Sequence, residues 1–130
     1  MAEYAAATGA PADITGTLES LNYPMLFDPG EGFAYGIGTD WVGAVVAELD
    51  GRSIDRFVNE EILQPLGMTN TYFERSEAGD RLSNASYKQP DGNLVPGGAH
   101  PAEHPEIYHM GHALYGSPAD YMTFLRLVLN

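Results

Sequence analysis

The chain of 130 residues contains no cysteine. That excludes a disulfide framework, a thiolate nucleophile and a cysteine-ligated zinc site, and it leaves the redox compartment open. Bases are scarce as well: six Lys and Arg stand against 18 Asp and Glu, a formal charge of −12. Such a surface repels phosphate backbones and anionic lipid, so neither nucleic acid nor a membrane is expected as a partner. No run of about 18 apolar residues, of the kind a membrane-spanning helix requires, occurs. Met1-Ala2-Glu3-Tyr4 lacks the basic and apolar stretches of a secretion signal, so a cytoplasmic location is expected. At 44% hydrophobic, the chain can build one modest core, and one folded unit over 1–130 is expected.

The missing residues also narrow the chemistry. Lysine occurs once, at Lys88. None of Ser20, Ser53, Ser76, Ser83, Ser86 or Ser117 lies in a Gly-x-Ser-x-Gly elbow or has lysine three residues on, so no activated serine nucleophile is visible. Lys88 follows Ser86 by two residues on an expected strand, which is not the helical i, i+3 pair. Four histidines, His100, His104, His109 and His112, gather near Glu103 and Glu106. Their irregular spacing on a proline-broken stretch argues against zinc, and no metal or other cofactor is expected.

What the chain does have is helical patterning and turn chemistry. Ala2 to Ala10 reads as a short helix ended by Gly9 and Pro11. Pro11 to Gly32 reads as a looping connector anchored on the core by Leu18, Leu21, Met25, Leu26 and Phe27. Then comes Phe33-Ala34-Tyr35-Gly36-Ile37-Gly38, a glycine-hinged loop that presents one tyrosine and leads into a helix capped by Thr39 or Asp40. That helix runs from about Asp40 to Leu49, with Trp41, Val42, Val45, Val46 and Leu49 as its buried stripe and Gly51 as its stop. A second helix opens at Ser53 and continues to Leu66. Thr69 to Phe73 is β-prone, and Glu74 to Asn84 reads as a surface loop. A hairpin is expected between Ala85 and Pro96 around Asp91-Gly92, followed by a loop from Gly97 to Gly111. Ser117-Pro118-Ala119-Asp120 opens a last helix whose buried face would be Tyr121, Met122, Phe124, Leu125, Val128 and Leu129. That helix runs to the last residue without a stop or a following strand, so the chain is expected to be a piece of a larger domain.

Taken in order, these motifs carry a resemblance. Phe27-Asp28-Pro29-Gly30-Glu31-Gly32-Phe33-Ala34-Tyr35-Gly36-Ile37-Gly38-Thr39-Asp40-Trp41-Val42-Gly43 resembles the tyrosine segment of family VIII carboxylesterases, relatives of class C β-lactamases and penicillin-binding proteins. Leu63-Gln64-Pro65-Leu66-Gly67-Met68 with Thr69-Asn70-Thr71-Tyr72-Phe73, then Asp91-Gly92-Asn93-Leu94-Val95-Pro96, then Leu114-Tyr115-Gly116-Ser117-Pro118-Ala119-Asp120-Tyr121 resemble further segments of the same family. The resemblance implies a mainly α unit with long loops and a small β-hairpin, the helical subdomain of the α+β serine β-lactamase/transpeptidase-like fold. It further implies an esterase in which a Ser-x-x-Lys serine forms an acyl-enzyme with short-chain esters of small molecules. Tyr35 would be its catalytic base, and Trp41, His112 and Tyr115 would lie at the substrate pocket. The serine and lysine would precede Met1 and a later strand motif would follow Asn130, so the chain alone would be inactive. Ile37 stands where the lactamase branch has asparagine or serine, which favours the esterase branch. Gly111-His112-Ala113 alters the family's glycine run, which implies either a bulkier pocket wall or simple drift of the segment. The alternative is a non-catalytic helical binding or scaffold module derived from the same fold. In either case, apolar surfaces normally covered by a sheet would favour self-association.

Overall fold

The computed structural model describes residues 2–9, 16–97 and 102–129. Helix α1 (Ala2–Thr8) leads to a single 3₁₀ turn (Glu19–Leu21) and, beyond the tyrosine loop, to α2 (Gly38–Asp50). Helix α3 (Ile54–Val58) continues as one π-helical turn (Asn59–Leu63), so the second expected helix forms but changes its winding midway. Next come β1 (Thr71–Tyr72), α4 (Arg75–Ala78) with a 3₁₀ turn (Gly79–Arg81), and the hairpin of β2 (Ser86–Lys88) and β3 (Leu94–Pro96). Strand β4 (Tyr115–Gly116) and helix α5 (Pro118–Leu129) complete the order. Among the described residues the architecture is helix-rich, as expected, with two small antiparallel strand pairs, of which one is the expected hairpin.

The hairpin forms where Asp91-Gly92 placed it, with Ser86 opposite Pro96 and Lys88 opposite Leu94. The Gly92 N–H donates to the Gln89 carbonyl at 2.9 Å to close the turn. The second pair joins distant segments: Thr71 faces Gly116 and Tyr72 faces Tyr115. Asp120 fixes that junction. Ser117 Oγ accepts the Asp120 N–H at 3.2 Å, which starts α5 as a cap should. The buried Asp120 carboxylate then accepts the Asn70 N–H at 2.7 Å and the Thr71 hydroxyl at 2.9 Å, so it bridges to β1 as well as sitting in the first turn of its helix.

The core is built by Ile54, Val58, Leu63, Met68 and Phe73, with Val46, Ala47, Phe57, Tyr108, Met110 and Phe124 among the side chains packed on it. Several expected faces turn the other way. In α2, Trp41, Val42, Val45 and Leu49 are exposed, and the helix meets the rest of the chain through Asp40, Gly43, Ala44 and Ala47, which recur every three to four residues. Small size is the reason: a Cβ on Gly43 would lie 2.4 Å from Met110 Cγ, so only glycine admits this approach. The cap also differs. Ile37 is the N-cap residue with no side-chain bond, while Asp40 lies inside the first turn and is buried. Of the connector anchors, Leu21 is buried, whereas Leu18, Met25, Leu26 and Phe27 are exposed. In α5, Tyr121, Met122, Val128 and Leu129 are exposed, leaving Phe124 to pack on the core. The stretch from Glu74 to Asn84 is not a plain surface loop, because it holds α4 and the buried Glu74.

Asp120→Ala should therefore destabilise the chain by about 2–3 kcal/mol, since it strands a backbone N–H and a hydroxyl that lose a charged acceptor. The urea midpoint should fall accordingly, and Asp120→Asn, which keeps one acceptor oxygen, should lose less. An unchanged midpoint in Asp120→Ala would refute the bridge.

Candidate functional site

The stretch from Ala102 to Tyr115 lies over the helical core and closes a cavity of about 310 Å³. Phe73, Glu74, Tyr108, His109, His112 and Tyr115 are among its walls. Glu74 organises one side. It begins α4 in a reciprocal capping box with Glu77, and its Oε1 accepts the His104 N–H at 3.0 Å and the Tyr108 hydroxyl. The His104 imidazole lies 3.2 Å from the same oxygen, and His104 takes a left-handed backbone (φ 52°) to present it. Burial, and next the Glu74 carboxylate, push the Tyr108 phenol well above its ordinary range, so Tyr108 serves as a neutral hydrogen-bond donor. Its ring also meets Phe73 edge-on at 5.0 Å.

Asp40 organises the other side. Its Oδ1 accepts the Gly111 N–H at 2.8 Å, which seats the turn from His109 to His112 on the first turns of α2. The His112 N–H donates to the His109 carbonyl at 3.1 Å, and the two imidazoles stack at 5.4 Å with 20° between their planes. His109 is buried, and both its ring nitrogens lack a hydrogen-bond partner among the described residues.

Of the expected site residues, His112 and Tyr115 share the cavity wall. Tyr115 is held there by its pairing with Tyr72. Tyr35 and Trp41 are not among the lining residues. Tyr35 projects from its loop at 92% exposure, without a hydrogen bond or ring contact among the described residues. Trp41 is partly covered, and its indole N–H donates to the Leu21 carbonyl at 3.1 Å, which ties the connector to α2. No three His, Asp or Glu side chains converge to hold a metal among the described residues; His100 lies outside them. Sequence reasoning missed Asp40, Glu74, Tyr108 and His109 as organisers. An acid in the first turn of an apolar helix was the one available sign, and for Asp40 it read equally well as a cap.

Comparison with known proteins bears on this geometry. A family model described as Beta-lactamase matches residues 6–130. A lovastatin esterase from Penicillium rubens is 31% identical over 117 residues, 85% of this chain and 29% of that protein. A monacolin J acid methylbutanoyltransferase from Aspergillus terreus is 27% identical over 124 residues, 92% of this chain and 30% of that protein. Among solved structures, a mutant simvastatin synthase from Aspergillus terreus matches with a TM-score of 0.71 at 28% identity, over 82% of this chain and 28% of that one. A penicillin-binding protein homologue from Pyrococcus abyssi matches with a TM-score of 0.57 at 25% identity, over 76% of this chain and 22% of that one. The chain thus spans less than a third of the length of these relatives.

The two tyrosines should respond oppositely to loss of the hydroxyl. Tyr108→Phe should cost about 1–2 kcal/mol, because it removes a donor from the buried Glu74 carboxylate. Tyr35→Phe should stay within about 0.5 kcal/mol of the parent, as a surface change does. Urea unfolding of both variants checks this, and equal midpoints would contradict it.

Proposed function

Because the chain belongs to the beta-lactamase family, matched over residues 6–130, we propose that it is the helical, tyrosine-bearing part of a serine carboxylesterase acting on short-chain esters of small molecules. The observation that carries this reading is the 31% identity to a lovastatin esterase across 85% of the chain. A methylbutanoyltransferase among the relatives fits the same chemistry, since transfer and hydrolysis differ in whether an alcohol or water accepts the acyl group. Ile37, in place of the lactamase branch's asparagine or serine, adds to the esterase side.

In this reading a serine attacks the ester carbonyl, the alcohol leaves, and water releases the acid from the acyl-enzyme. Tyr35 takes the serine proton. A phenol, with a reference pKa of about 10, does so only where cationic neighbours favour its phenolate. No cation meets Tyr35 among the described residues, and no serine of this chain has a lysine three residues on. The nucleophile and the cations that activate Tyr35 are therefore assigned to a longer protein, and this chain is inactive alone. His112 and Tyr115 would form part of the acyl or alcohol pocket through their shared cavity wall, with Trp41 bracing the tyrosine helix. The exposed apolar residues of α2 and α5 would pack under the remainder of that protein, and without it they favour self-association.

Purified chain should show no hydrolysis of p-nitrophenyl butyrate above background. The same preparation should elute beyond monomer size from a size-exclusion column at high concentration. Hydrolysis that disappears in Tyr35→Phe would overturn the assignment of the nucleophile elsewhere, and a clean monomer would contradict the exposed apolar faces.

A further inference from the structure

We propose that His109 and Asp40 form a proton-operated latch between α2 and the turn that carries His112. Three geometric facts carry this. Both side chains are 5% exposed, and the His109 Nδ1 stands 3.7 Å from Asp40 Oδ1, beyond hydrogen-bond reach. Neither His109 nitrogen has a hydrogen-bond partner among the described residues, so the ring fills its place as a neutral plug. The same Asp40 oxygen holds the Gly111 N–H at 2.8 Å, and Met110 is seated over Gly43 on the same face of α2. Helix α2 and the His109–His112 turn therefore meet through the Asp40 carboxylate, the Gly111 amide, the Met110 side chain and the buried His109 ring.

Adding a proton to that imidazole changes the balance. The groups that act on it most are Asp40 from α2 and His112 from its own turn, and Glu74, Arg75, Glu103 and Tyr108 share the cavity it lines. Burial disfavours the imidazolium most strongly, Asp40 opposes this, and a charged His112 reinforces it, leaving the His109 pKa below the ordinary histidine value. The closed latch thus binds a proton less well than the open chain, whose histidine titrates near 6.5. Its contribution to stability is complete above about pH 6.5 and is lost as the pH falls below it. Protonation drives the ring from its buried site, frees the Gly111 N–H from Asp40 and releases His112 from the cavity wall. The latch is read from Asp40, His109 and Gly111 alone, while its effect on His112 bears on the pocket proposed above.

Histidine-resolved NMR on the whole chain tests the latch. His109 should titrate below the ordinary histidine value of about 6.5, and the protection of the Gly111 amide against exchange should fall by up to about tenfold for each pH unit from about pH 6.5 down to that titration, levelling off once the closed chain is protonated. His109→Phe, which keeps a neutral ring in the plug, should hold Gly111 protection constant between pH 7 and 5. Asp40→Asn should move the His109 titration lower still, and this serves where the phenylalanine variant does not fold. The latch is overturned by Gly111 protection that stays constant from pH 7 down through the His109 titration, by His109 titrating at or above about pH 6.5, or by an Asp40→Asn variant whose His109 titration is unmoved or raised.

Discussion

The contact on which the candidate site depends is the buried Asp40 carboxylate receiving the Gly111 N–H, 71 residues further along the chain. It joins the helix after the tyrosine loop to the turn that bears His112. Two further acids act alike. Glu74 binds the His104 amide and the Tyr108 hydroxyl, while Asp120 binds the Asn70 amide and the Thr71 hydroxyl. None of the three relies on arginine or lysine among the described residues. Burying a carboxylate is costly unless its oxygens are satisfied, and backbone amides satisfy them only in a defined geometry. An acidic chain with few bases thereby obtains long-range specificity from acids and amides.

That arrangement explains why the small core suffices to position a loop-rich cavity. Ile54, Val58, Leu63, Met68 and Phe73 come from two neighbouring stretches and say little about where residues 102–116 must lie. Apolar contact is non-directional. The carboxylates supply the direction: Glu74 locates the Tyr108 end, Asp40 locates the Gly111 end, and Asp120 beside the β1–β4 pair locates Tyr115. The Beta-lactamase family match and the structural matches in simvastatin synthase and the penicillin-binding protein homologue place this unit within a shared fold.

Local order was legible in the sequence, and facing was not. The helix ended by Gly51, the cap at Ser117 and the turn at Asp91-Gly92 each follow from residue chemistry within a few positions, and each forms as expected. The apolar stripe from Trp41 to Leu49 identifies a helix equally well whether it faces this core or another partner, and here the small-residue face packs inward. Tyr35, His112 and Tyr115 were singled out through motifs, and the structure brings together only the last two on the cavity wall. The organising roles of Asp40, Glu74 and His109 were not legible because their partners lie 30 to 71 residues away, a separation that no local pattern encodes.

Amide hydrogen exchange at neutral pH tests the carboxylate framework most directly. The amides of Asn70, His104 and Gly111, each held by a buried carboxylate outside any helix, should be protected to nearly the same degree as the α3 core, opening only with global unfolding. Exchange of all three at the rates of exposed loop amides, with the α3 amides still protected, would contradict the account.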